Sequence, residues 1–147
     1  MANVRVKFTD REKEDGGTAD AARSMSTGIE RLDRLLGGLR TGDNVVWEAD
    51  SGSPVHTFIS HLLTCEELAD KKVVFVGFNQ SPHAIVEKYL SNIMRDRFFL
   101  VDCFTSGRGA GDKVFSDFYE EPHPGLRALL VENPADTQKV QEALESI

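Results

Sequence analysis

The chain has 147 residues, enough to bury a real core in one domain, with 40% hydrophobic and 28% charged residues. Its net charge of −7 argues against a nucleic-acid binder, which needs clustered Lys and Arg on phosphate, and against attraction to an anionic membrane surface. No apolar run approaches the ~20 residues of a membrane helix, and "MANVRVKFTDREKEDGG" has no apolar signal core, so the expected setting is cytoplasmic with no membrane contact.

Residues 1–25 read on composition as a flexible N-terminal tail, although "VRVKF" alternates as a short edge strand would. Order is expected from Ser26. In "STGIERLDRLLGGL", Ser26 or Thr27 is placed to cap a short helix with Ile29, Leu32, Leu35 and Leu36 on its apolar side. Gly37 and Gly38 should stop it. "NVVWEA", 44–49, is a first strand and "SGS" a loop. A helix follows, with Ser53 as its expected N-cap and Pro54 at its first position. Val55, Phe58, Ile59, Leu62, Cys65 or Glu66, and Ala69 trace its apolar face.

"KKVVFVGF" is apolar on both faces, the mark of a buried parallel strand. "SPHAIVEKYLSNI" is a helix capped by Ser81, with Pro82 in its first turn. "DRFFLVDCF" is a third strand, "TSGRGAGDK" a loop and "VFSDFYEEPHPG" irregular. "LRALLVE" is a fourth strand, and "NPADTQKVQEALESI" a closing helix with Asn133 or Asp136 near its start. This alternation predicts an α/β fold with a mostly parallel sheet flanked by helices.

The run Ser26, Thr27, Gly28, Ile29, Leu32, Asp33, Leu35, Leu36, Gly37, Gly38 and Gly42, followed by strand, loop and helix, resembles the opening of KaiC-like members of the RecA superfamily. "VVFVGFNQSPHAI", "FFLVDCF" and "NPADTQKVQEAL" resemble later segments in the right order, so the likeness covers about residues 26–147. It implies a partial RecA-like sheet of about four to five strands. The family's next strand would begin just past Ile147. That leaves a fragment, the head of a longer protein, or a minimal version, with an unpaired sheet edge open to another chain.

In that family the loop after the first strand cradles phosphate with glycine N–H groups, a Lys and a Ser or Thr hydroxyl on Mg²⁺. Here the loop is Ala49, Asp50, Ser51, Gly52, Ser53, Pro54, Val55, His56 and Thr57. The resemblance sets Ala49 at the first Gly, Pro54 at the Gly before the Lys, Val55 at the Lys and His56 at the first hydroxyl. Pro54 lacks an N–H. Val55 carries no charge, and His56 offers nitrogen where Mg²⁺ prefers oxygen. Glu48 and Asp50 add repulsion to a triphosphate. The family's two acidic residues after the second strand are here Asn79 and Gln80, amides that cannot serve as a general base.

These replacements predict a degenerate phosphate loop, no catalytic residues and no resident cofactor, with weak Mg·ATP binding left open. The expected role is a non-catalytic regulatory, oligomerising or protein-docking module, in the manner of signal transduction, whose partner is another protein or a second copy. One alternative is an atypical ATPase or switch using Gly52, Ser53 and Thr57, with charge from Arg108 or a partner's Lys. Another is a small-molecule, metal or redox sensor using His56, His61 or Cys65. The four histidines, His56, His61, His83 and His123, show no ligand spacing, so no metal site is expected. Cys65 and Cys103 form neither a CxxC pair nor a disulfide framework. Glu30 and Arg34 are spaced as a helix-supporting ion pair.

Overall fold

A computed structural model of the chain describes residues 4–8, 24–50, 52–90, 95–108 and 113–147. The chain divides into two compact units, Met1–Ala69 and Asp70–Ile147. Among the described residues no helix is long and apolar enough to cross a membrane.

In the first unit the alternating "VRVKF" does form a strand, β1 (Val4–Phe8). It pairs antiparallel with β4 (Val45–Ala49), setting Val6 opposite Trp47. A second ladder joins β2 (Ser24–Met25) to β3 (Leu39–Arg40), also antiparallel. Between them runs α1 (Glu30–Leu36), closed by Gly37 in the left-handed region, φ 75°. The Gly37 N–H donates to Asp33 O at 2.8 Å, so the helix stops where the sequence indicates. Glu30 and Arg34 pair along α1 as their spacing predicts. After β4 comes α2 (Val55–Thr64). Trp47 packs on Phe58, ring centroids 4.9 Å apart, fixing strand against helix.

Two cap assignments are corrected. The N-cap of α1 is Ile29, with no side-chain cap bond, so neither Ser26 nor Thr27 serves. The N-cap of α2 is Pro54, again without a side-chain bond, so Ser53 does not serve either. Helix α2 is also shorter than its apolar pattern suggests. Cys65 is extended (φ −68°, ψ 145°), and Glu66–Leu68 forms a separate 3-10 turn.

The second unit holds a parallel sheet in the order β5-β6-β7, formed by β5 (Val73–Gly77), β6 (Phe98–Asp102) and β7 (Arg127–Leu130). The α/β class with helices flanking a parallel sheet is therefore present. Among the described residues the expected sheet of four to five strands is not. Three strands are parallel, and "NVVWEA" has β1 as its antiparallel neighbour. The ladder runs from Val4 opposite Ala49 to Phe8 opposite Val45, a long-range pairing set by the chain's path.

Strand β6 is central and buried along its whole length, while Val74 on β5 and Leu130 on β7 are exposed. Register partners point to the same side, so Phe75, Gly77, Leu100 and Asp102 share one face. Helix α3 (Pro82–Tyr89) covers that face. Tyr89 meets Phe75 at 5.5 Å, and a Cβ on Gly77 would lie 2.8 Å from Ile85 Cδ1. Ser81 caps α3 by accepting from Ala84 N at 3.3 Å, as predicted. Helix α5 (Thr137–Glu145) covers the other face. Its Val140 and Ala143, with Ile147, pack on Val101, Cys103 and Val131. Asp136 caps it by accepting from Gln138 N at 3.0 Å. The segment expected to be irregular contains a short α4 (Lys113–Ser116) and a 3-10 turn at Asp117–Tyr119.

Candidate functional site

The loop from Ala49 to Thr57 closes on itself. Ser53 N donates to Asp50 O at 3.0 Å, Val55 N to Ser53 O at 2.8 Å and Thr57 N to Pro54 O at 2.9 Å. Pro54 has no N–H to offer. Gly52, Pro54, His56 and Thr57 are exposed, and Val55 is half-buried. Ser51 lies outside the described residues. The Ser53 hydroxyl is buried and has no hydrogen-bond partner among the described residues. A phosphate cradle needs several backbone N–H groups aimed at one point. Here at least three are engaged within the loop.

The motif that opens the resemblance has a structural task of its own. The Asp33 carboxylate accepts from Ser26 Oγ at 2.6 Å, Thr27 N at 2.8 Å and Thr27 Oγ1 at 2.7 Å. Ser26 Oγ in turn accepts from Gly28 N at 2.8 Å. Thr27 is only 2% exposed. Ser26 and Thr27 thus clasp the middle of α1 and do not cap its start. Partial burial raises the Asp33 pKa, and the bonds from Ser26 and Thr27 more than offset it, so the net shift is downward from 3.8.

A depressed carboxylate pKa adds stability above the unfolded value and loses it as pH falls through the folded one. Wild-type protein is therefore expected to lose stability from about pH 4 downward. Asp33→Asn should be less stable at neutral pH, and its melting temperature should fall less steeply over that acid range. Parallel slopes in the two proteins would show that Asp33 does not carry the effect.

Next to the clasp is a cleft of about 370 Å³ rimmed by Glu30, Asp33, Glu66 and Glu67, with Cys65 in its wall. Burial, then the charges of Glu67 and Asp33, push the Cys65 thiol pKa up. That keeps it protonated and a poor nucleophile. His56 and His61 are both exposed on α2. Among the described residues no group of three or more His, Cys, Asp or Glu side chains is placed to hold a metal.

In the second unit, Asn79 and Gln80 follow the end of β5. Asn79 is exposed. Gln80 is half-buried, with Oε1 buried and unpartnered among the described residues. Sequence reasoning missed the strongest polar cluster of this unit. Asp102, 1% exposed at the end of β6, accepts from Phe104 N at 2.8 Å, Thr105 N at 3.0 Å and Tyr119 Oη at 2.9 Å. Burial, then the Asp102 charge, push the Tyr119 pKa well above its ordinary value, so the phenol remains a donor. One signal was legible: an Asp closing the otherwise apolar run "FFLVD" must find donors if buried. Tyr119, seventeen positions on, had none.

Beside this cluster, Phe118 carries His123 stacked at 3.8 Å and His83 edge-on at 5.0 Å. His123 Nε2 donates to Phe118 O at 2.7 Å. Arg108, exposed, lies over the Phe104 ring at 5.2 Å. Residues 109–112 of "GRGAGDK" lie outside the described residues. No family model, no curated protein and no solved structure matches this chain.

Proposed function

We propose that this chain is a KaiC/RecA-like domain without ATP hydrolysis, working as a regulatory, oligomerising or protein-docking module of cytoplasmic signalling. The observation that carries the reading is the self-closed loop at 49–57. Its Ser53, Val55 and Thr57 N–H groups bond within the loop, and Pro54 has none. A nucleotide would have to break those bonds and bring its own counter-charge, since the loop holds no Lys or Arg. The amides Asn79 and Gln80 support the same conclusion, because neither can take a proton from water. The partner in this reading is a protein, either a different chain or a second copy. The charge of −7 weighs against nucleic acid.

The test is ligand-linked stability. A ligand that binds only the folded state at a hundredfold excess over its Kd stabilises by about 2.7 kcal/mol. For a chain of this size that is a rise of several degrees. Millimolar Mg·ATP is expected to leave the melting temperature unchanged. A clear rise would overturn the proposal in favour of an atypical nucleotide switch. Light scattering then separates the two partner classes, since self-association raises the measured mass with concentration and a heterologous partner does not.

A further inference from the structure

Strand β7 has β6 on one side and, among the described residues, no strand on the other. Val131 N, just past its end, donates to Asp102 O of β6 at 2.9 Å. Backbone groups alternate sides along a strand, so the N–H and C=O of Ala128 and Leu130 face away from β6. Such a row is a template for pairing with another chain. Sheet edges are usually blunted by Lys, Pro or a bulge, and the only charge in "RALL" is Arg127. Leu130 is 43% exposed.

A groove of about 360 Å³ opens beside this edge, lined by Leu129, Leu130 and Val131 and, from α5, by Lys139, Glu142 and Ala143. Its charges nearly cancel. Lys139 Nζ donates to Glu142 Oε2 at 3.0 Å. That leaves Glu132, exposed at one end of the strand, against Arg127, exposed at the other. A chain of net charge −7 repels its own copies, so a copy is admitted only where the contact is locally neutral. This edge meets that condition. Antiparallel pairing of two copies also sets the Arg127 end of each strand against the Glu132 end of the other, so the surface complements itself. A uniformly basic or acidic peptide would satisfy only one end.

We propose that two copies of this chain join through β7, antiparallel, about a twofold axis at Leu129, to form one sheet that runs through both. In that register Ala128 of each copy lies opposite Leu130 of the other. The pair exchanges both backbone hydrogen bonds, and the exposed Leu130 side chain is covered. The two Leu129 side chains meet on the α5 face, because Leu129 pairs with Val101, which packs under α5. The inference rests on the reading above only in taking a protein as partner, and it chooses the second copy.

The experiment uses the whole chain. Sedimentation velocity is expected to show one copy in the micromolar range and two copies, but no more, toward millimolar. Amide hydrogen exchange at Ala128 and Leu130 should slow as the dimer forms, while Leu129, whose N–H faces β6, is protected throughout. Ala128→Pro deletes an outward N–H that the sheet itself does not use, a place where an edge strand tolerates Pro. Leu130→Lys puts a charge at a position that is already exposed. Each variant should raise the dimer Kd by about tenfold or more and keep the melting temperature of dilute protein. A chain that stays monomeric at millimolar concentration, a mass that climbs past two copies, or an unchanged Kd in both variants would each overturn the interface. Should the variants melt early, exchange in the wild type decides alone, and Ala128 and Leu130 amides indifferent to concentration would sink the proposal. None of these readouts involves Mg·ATP. A monomeric chain whose melting temperature ignores Mg·ATP would therefore remove this interface and leave the docking reading in place.

Discussion

Gly28→Ala is expected to destabilise the protein by about 2–5 kcal/mol, a large share of the roughly 5–15 kcal/mol that holds a typical domain folded. Two costs combine. Gly28 sits at φ +77°, where an L side chain is strained. Its Cβ would also lie 2.1 Å from the His61 carbonyl oxygen and 2.5 Å from the carbonyl carbon. Those are backbone atoms of α2 and cannot swing aside as a side chain can. Gly37 is the control. It has a similar φ, +75°, and a Cβ added there would meet nothing within 4 Å. Gly37→Ala should therefore cost only the conformational part, about 1–2 kcal/mol. Urea denaturation of both variants measures the difference. Equal losses would mean that Gly28 does not pack against α2 as described.

Asp102→Ala comes next, with an expected loss of about 3–5 kcal/mol. The substitution leaves two backbone N–H groups and the Tyr119 hydroxyl without their acceptor in a buried place. Asp102→Asn should be much milder, at about 1 kcal/mol. Its Oδ1 still accepts from Phe104 and Thr105, and the Tyr119 hydroxyl is able to turn and accept from the new amide. Tyr119→Phe removes one bond and should cost about 1 kcal/mol in wild type. In the Asp102→Ala background the same change should be neutral or favourable, since the phenol is already unpartnered there. Additive losses in that double-mutant cycle would break the proposed link between β6 and the Asp117–Tyr119 turn.

The Gly28 prediction bears on what the opening motif means. Ser26, Thr27, Gly28 and Asp33 form a clasp that seats α1 and brings its lead-in against the last turns of α2. That work needs no nucleotide. The clasp and the loop at 49–57 use different side chains, so the clasp holds whatever residues the loop carries. The same holds for Ser81 and Pro82, which start α3 whether or not Asn79 and Gln80 beside them are acidic.

The sequence by itself determined the elements whose causes are local. Ser81 with Pro82, Asp136, and Gly37 mark helix ends correctly because a cap bond spans only two to four positions. The apolar run "FFLVD" marks a buried parallel strand because only a sheet covered on both sides accepts it, whereas "VVFVG" is parallel but only partly buried, with Val74 exposed at the sheet edge. Tertiary structure decided the rest. Ser26, Thr27 and Ser53 each had a helix start to cap, yet none does so. A serine or threonine hydroxyl has several local partners worth about 1 kcal/mol each, and the choice falls to whichever acceptor packing brings near. For Ser26 and Thr27 that acceptor was Asp33, one helical turn further on than a cap. The partner of β4 likewise lay far upstream, at Val4–Phe8, and the donor that completes Asp102 lay in a segment with no periodic pattern. Such pairings depend on the chain's path, which alternation and spacing do not encode.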